Sequence, residues 1–140
     1  MMLFFGCKKY PDGPLLSLRT KEHRMVGNWD VEYFSVNGYD STEYLRSQPF
    51  YGKYQFRKGD YSSGDFIFKN SSNSYTASGS WIFTNNKKYL ALALTTPVPT
   101  NHIGPYAAEY VSWEIRKLKE NELWLKTTYN GKEYFVKFKQ

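Results

Sequence analysis

Hydrophobic and polar positions alternate along this chain in short runs, and between residues 28 and 139 no useful length carries the 3.6-residue spacing of an amphipathic helix. In residues 28–36, Trp29, Val31 and Tyr33 fall on one side and Asp30 and Glu32 on the other, the period-two pattern of a half-buried strand. Similar runs occupy residues 52–58, 64–69, 75–84, 88–95, 109–118, 122–129 and 132–139. Tyr129-Asn130-Gly131-Lys132 reads as a type I′ hairpin, because both central residues must take positive φ and Asn-Gly does so cheaply. Lys119-Glu120-Asn121 makes the hairpin before it, and Asn37-Gly38 ends the first strand. Strands joined this way pair in chain order, so the pattern predicts an all-β fold, an eight-stranded up-and-down antiparallel barrel. One short helix precedes it over residues 17–26, with Ser17 or Thr20 as N-cap and Gly27 placed to stop it.

The alternation assigns an inward set: Trp29, Val31, Tyr33, Tyr54, Phe56, Phe66, Phe68, Trp81, Phe83, Leu90, Leu92, Leu94, Val111, Trp113, Ile115, Leu123, Leu125, Tyr134, Val136 and Phe138. An eight-stranded barrel has room for its own side chains or one small ligand, so this many rings predict a filled or narrow interior. Alternate connections of such a barrel lie at the same end. Both long ones, residues 37–51 and 96–108, are odd-numbered and therefore share one rim, while the even-numbered turns are short. Loops on a rigid scaffold carry function, which makes that rim the candidate ligand site. In the first loop, Asp40-Ser41-Thr42-Glu43 has capping-box spacing with Asp as N-cap, so residues 41–47 are expected to form a helical turn across the mouth. That turn would expose Tyr44 and Leu45, with Phe50 beyond it, and the Pro-rich second loop adds His102, Ile103 and Tyr106.

At 140 residues and 41% hydrophobic content, one domain can bury its core without disulfide staples. The 13 Tyr, 10 Phe and 4 Trp supply that core with types suited to a pleated surface. The net charge of +6 is spread along the chain and favours anionic surfaces without choosing among them. The lone cysteine excludes an intramolecular disulfide, but its place is informative. Leu3-Phe4-Phe5-Gly6-Cys7 resembles a bacterial lipobox, in which cleavage precedes a Cys that is then lipidated. Phe4 stands where Leu is usual and no charged n-region precedes it, so the true start is expected upstream. Lys8-Lys9-Tyr10-Pro11-Asp12-Gly13-Pro14 reads as the tether that would follow a lipidated residue.

The residue types needed for catalysis do not gather. His23 and His102 are far apart and lack Cys partners, so no metal site is indicated. Asp60-Tyr61-Ser62-Ser63-Gly64-Asp65 lacks calcium-loop spacing and reads as a turn. No nucleophile-elbow serine is present, and Glu32, Glu43, Glu109 and Glu114 show no acid/base spacing. No enzymatic activity and no cofactor are expected. Outward positions Arg116, Trp124, Lys126, Phe135 and Lys137 would line up across adjacent strands as a basic and aromatic stripe, an alternative surface for a polyanion or protein partner. Export would make nucleic acid the wrong polyanion.

Gly27-Asn28-Trp29 opening the first strand of such a meander resembles the lipocalin-like domains of small bacterial lipoproteins, which have calycin-type barrels, over residues 17–140. The resemblance implies that Trp29 packs on the barrel floor at the closed end and that the helix bearing Met25 and Val26 caps it. A second lipocalin motif, Thr-Asp-Tyr, and the helix after the last strand are absent. The expectation is a two-part chain, a signal remnant and tether over residues 1–16 and a barrel over 17–140. It is anchored through Cys7 in the envelope of a Gram-negative bacterium, facing the periplasm or cell surface. It binds a small apolar or amphipathic ligand, or an envelope protein, at the rim. Expression from an upstream start should give palmitate-labelled protein, and Cys7→Ser should abolish the label; unlabelled, fully soluble protein from that longer gene would refute the anchor.

Overall fold

The structure, a computed structural model, describes residues 20–47, 52–60, 62–70, 76–94 and 110–140. Among these the alternating segments are strands: β1 (Gly27–Val36), the two-residue β2 (Tyr39–Asp40), β3 (Gly52–Lys58), β4 (Ser63–Asn70), β5 (Thr76–Thr84), β6 (Tyr89–Leu94), β7 (Tyr110–Leu118), β8 (Glu122–Tyr129) and β9 (Lys132–Lys139). Two short helices, α1 (Lys21–Met25) and α2 (Thr42–Arg46), flank β1. From β3 onward each strand pairs antiparallel with the next, β1 pairs with β3, and β9 returns to β1, so eight staves close into a barrel. Closure leaves no long sheet edge exposed. Asn130 (φ 50°) and Gly131 (φ 76°) form the hairpin turn their sequence predicts. Asn37 (φ 51°) and Gly38 (φ 81°) form another, which folds β2 back onto β1 with Val36 opposite Tyr39.

Two bulges correct the alternation. On the β1/β9 ladder Val31 faces Phe138 and Tyr33 faces Lys137, so two steps of β1 match one of β9. The extra residue reverses the faces. Tyr33, expected inside, lies on the outer wall, and Phe34 takes the interior with no exposure. A second bulge between Ile115 and Lys117 in the β7/β8 ladder turns Leu118 into the core. The rest of the inward set whose side chains are described is buried or packed against the core; the Phe68 side chain lies outside them.

Rings fill the barrel. Tyr54 stacks on Phe56 at 5.9 Å and meets Phe138 edge-on at 5.2 Å, Phe56 lies 5.7 Å from Phe66, and Trp81 meets Phe83 at 5.4 Å. Gly64 is required by the close crossing of β3 and β4: a Cβ there would fall 1.9 Å from the Arg57 carbonyl oxygen and 2.6 Å from the Trp81 indole nitrogen. That nitrogen donates to the same Arg57 carbonyl at 3.0 Å.

One end is sealed, and we call it the floor. Thr20 caps α1 by accepting from the His23 N–H at 3.2 Å, and the helix stops at Val26. Met25 and Trp29 are fully buried, and the Trp29 indole donates to the Met25 carbonyl at 2.9 Å. Arg24, 7% exposed, donates to the Leu118 carbonyl across the floor. Glu22 accepts from Ser62 Oγ at 3.0 Å and pairs with Lys87, which ties α1 to the β3/β4 and β5/β6 turns. Burial disfavours the Glu22 charge, but the hydrogen bonds from Lys87, its own backbone and Ser62 outweigh that and hold its pKa below the usual value for a glutamate.

Truncating a buried large aromatic costs about 3 to 5 kcal/mol, so Trp29→Ala should lower stability by about that amount in urea unfolding. Melting within a few degrees of the parent would show the floor is not built on this ring. Because the Glu22 pKa is lower folded than unfolded, its contribution is complete above the unfolded value and is lost as pH falls through the folded one. Glu22→Gln should therefore destabilise at pH 7, and the difference from the parent should shrink towards zero under acid; a difference unchanged by pH would place the effect elsewhere.

Candidate functional site

The opposite end is the rim. β1 ends there at Val36, β3 begins there at Gly52, β6 leaves at Leu94 and β7 returns at Tyr110, so both long connections open from this end. The floor carries only the short turns after Lys58, Thr84 and Leu118.

Helix α2 covers part of the rim, as its sequence predicts, but by a different cap. Ser41 holds the N-cap position without a side-chain bond, and Asp40 instead accepts from Thr42 N at 3.0 Å and Thr42 Oγ1 at 2.6 Å. These two bonds, with the Arg46 cation nearby, hold the Asp40 pKa below its usual value against slight desolvation. The Thr42 hydroxyl also accepts from Phe34 N at 2.9 Å, Ser41 N donates to Phe34 O at 2.8 Å, and Arg46 donates to Val31 O at 3.2 Å. The β1/β3 ladder stops after Trp29 opposite Tyr54. Beyond that point α2 satisfies backbone groups of β1 that a neighbouring strand would otherwise take.

Docked this way, α2 turns Leu45 inward. Leu45 is fully buried in the core, not exposed as the loop's position suggested, because four residues of helix place it on the face opposite Glu43 and against β1. Tyr44 is 59% exposed on the rim as expected. The structure adds Tyr39, 78% exposed on β2, and Tyr110, 59% exposed at the start of β7. Sequence reasoning passed over both. The Asn37-Gly38 signal could have found Tyr39, since a hairpin there returns the next residue to the rim. Phe50, His102, Ile103, Tyr106 and Cys7 lie outside the described residues. Trp113 faces inward opposite Leu90 with no exposure, and its Nε1 has no hydrogen-bond partner among the described residues.

The outer stripe forms and is longer than expected. Tyr33, Lys137, Trp124 and Lys117 stand opposite one another in register across β1, β9, β8 and β7, alternating ring and cation. Lys137 and Lys117 each lie 4.2 Å from the Trp124 ring centroid. Phe135 meets Trp124 and Tyr33 edge-on, each at 6.2 Å. The cations are engaged locally: Lys117 with Glu122 at 2.9 Å, Arg116 with Glu114 at 3.1 Å and Lys126 with Glu133 at 3.5 Å. Acid partners in the same wall reduce its pull on a polyanion. Among the described residues no group of three or more His, Cys, Asp or Glu converges as a metal site would require.

No family model matches the chain, and no curated protein matches it in sequence. Solved structures do resemble it. An uncharacterized protein from Bacteroides eggerthii DSM 20697 superposes with a TM-score of 0.52 and 17% identity, covering 83% of this chain and 99% of its own. A lipocalin-like protein from Bacteroides uniformis ATCC 8492 does so with a TM-score of 0.51 and 16% identity, covering 84% and 98%. At that identity the likeness speaks to fold, and with the closed antiparallel barrel and the capped floor it identifies this chain as a lipocalin-like β-barrel.

Proposed function

We propose that the protein is a non-enzymatic envelope lipoprotein, anchored through Cys7, whose barrel binds a small apolar or amphipathic molecule or a partner at the rim. The observation that carries this reading is the asymmetry of the two ends. The floor is closed by α1 and its hydrogen-bonded network, whereas the rim holds both long connections and exposes Tyr39, Tyr44 and Tyr110. A tyrosine offers a large apolar face and a hydroxyl that can orient a polar group, which suits an amphipathic ligand. The ring-filled interior limits how deep a ligand enters, so the rim supplies most of the contact. The lipocalin-like fold supports ligand binding in general terms.

Titration with the uncharged fluorophore N-phenyl-1-naphthylamine tests the site. Affinity should change little between low and high salt, because the contacts are apolar. The double variant Tyr44→Ala/Tyr110→Ala should weaken it by roughly fivefold to tenfold, about 1 to 1.4 kcal/mol. Charge reversal at Lys126 and Lys137 should leave it unchanged. The opposite pattern, steep salt dependence with loss on charge reversal and none on tyrosine removal, would move the site to the outer wall.

A further inference from the structure

The floor has a cavity of its own, separate from the rim. It is a half-open depression of about 380 Å³ between α1, the end of β3 and the β7/β8 turn, lined by His23, Arg24, Val26, Lys58, Glu120 and Gln140. That volume lies at the lower end of small-ligand sites, which run from roughly 300 to 1,000 Å³. The Arg24, Lys58 and His23 side chains line it together with the Glu120 carboxylate. Arg24 contributes a charge that cannot be removed by deprotonation, held in the wall by its bond to the Leu118 carbonyl. Lys58 follows Tyr54 and Phe56 on the inward alternation of β3, emerges exposed at the floor and has no ionic partner among the described residues. Lys88 and Lys139, at the same end, also make no ion pair there. On the outer wall Arg116, Lys117 and Lys126 are matched by Glu114, Glu122 and Glu133. Among the described residues, three lysines without an ion pair, Lys58, Lys88 and Lys139, stand at the floor.

The chain also enters the barrel at this end. Thr20 caps α1 on the floor, and the twelve residues 8–19 separate it from Cys7, a reach of about 40 Å if fully extended. We infer that the floor cavity is a subsite for the phosphate group of an anionic lipid headgroup, so that the floor faces the membrane and the rim faces away from it. The orientation deepens the anchor reading at Cys7 and rests on it. The headgroup site stands on the cavity and its cations alone. Each basic side chain held near an anionic bilayer adds favourable energy that falls off within a Debye length, and a cavity lets one phosphate approach several such groups at once.

The test uses the full chain carrying Cys7→Ser, so that no acyl group contributes to membrane association. Co-sedimentation with vesicles of phosphatidylcholine alone is compared with vesicles of phosphatidylcholine and phosphatidylglycerol at three to one. Binding is expected on the anionic vesicles. Lys58→Glu should lower the partition coefficient by about tenfold to thirtyfold and Lys58→Gln by about half that on a logarithmic scale, while Lys132→Glu on the opposite end changes it less than twofold. Lys58 is exposed, so both variants should melt with the parent. Equal sedimentation with both vesicle types, or equal loss from Lys132→Glu, overturns the proposal. Inorganic phosphate that shifts the His23 and Arg24 amide resonances while anionic vesicles stay unbound would assign the cavity to a free anion and overturn the membrane assignment. Because the tested chain is unlipidated, failure of palmitate labelling leaves this result untouched, and failure here leaves the anchor untouched.

Discussion

The structure depends on β1 being held from both sides along its whole length. Closing eight strands requires the first to pair with the last, so β1 must meet β9 from Asp30 to Val36 although about a hundred residues separate them. Its other side meets β3 only from Gly27 to Trp29. Beyond that point β2 meets Ser35 and Val36, and the groups between lie against α2 and its N-cap, where an unpaired one would cost on the order of 1 to 3 kcal/mol. Thr42, Ser41 and Arg46 supply those partners, so α2 is a substitute for ladder rather than an ornament on the mouth. The bulge at residues 31–33 belongs to the same constraint. It bends β1 and gives two neighbours opposite faces: Phe34 stacks on Tyr134 inside at 6.2 Å, while Tyr33 meets Phe135 outside at the same distance.

Most strands were legible because large aromatic and branched residues repeat with period two and sit between unambiguous turn residues. Residues 64–69 became Ser63–Asn70 and residues 109–118 became Tyr110–Leu118, shifts of one residue. What alternation cannot show is a residue inserted into one strand but not its partner, since that depends on register with a strand far away in sequence. Tyr33 was therefore placed on the wrong face and Leu118 passed over. Helix α1 shows the same limit. Within its Lys-Glu-His-Arg run Glu22 is only 8% and Arg24 7% exposed, because their partners lie 40 and 94 residues away. At the candidate site Tyr44 was legible from the loop alone. Leu45 was not, because its burial follows from the angle at which α2 docks, which Phe34 and Val31 set through their backbone.

The outer wall is stabilised by pairs that reuse the barrel's register. In the row Tyr33, Lys137, Trp124, Lys117, each cation lies between or beside rings; Lys117 also pairs with Glu122, and Lys126 outside the row pairs with Glu133. Exposed ion pairs contribute little singly, about 0 to 1 kcal/mol, but a cation over an indole also shields apolar ring surface that would otherwise face water. An aromatic stripe on a sheet therefore need not mark a binding face. The partners around it decide, and here they are internal.

Across the barrel, polar groups are handled in opposite ways at different depths. At the floor Trp29 Nε1, the Glu22 carboxylate and Arg24 Nη1 have named partners, which lowers the cost of their burial. Trp81 Nε1 is likewise satisfied by a carbonyl of its own wall. Trp113 Nε1, enclosed among apolar neighbours, has none among the described residues, though a phenyl ring would bury comparable apolar surface without the unmet donor. Dispersion and burial of so large a ring offset an unmet donor in the free protein.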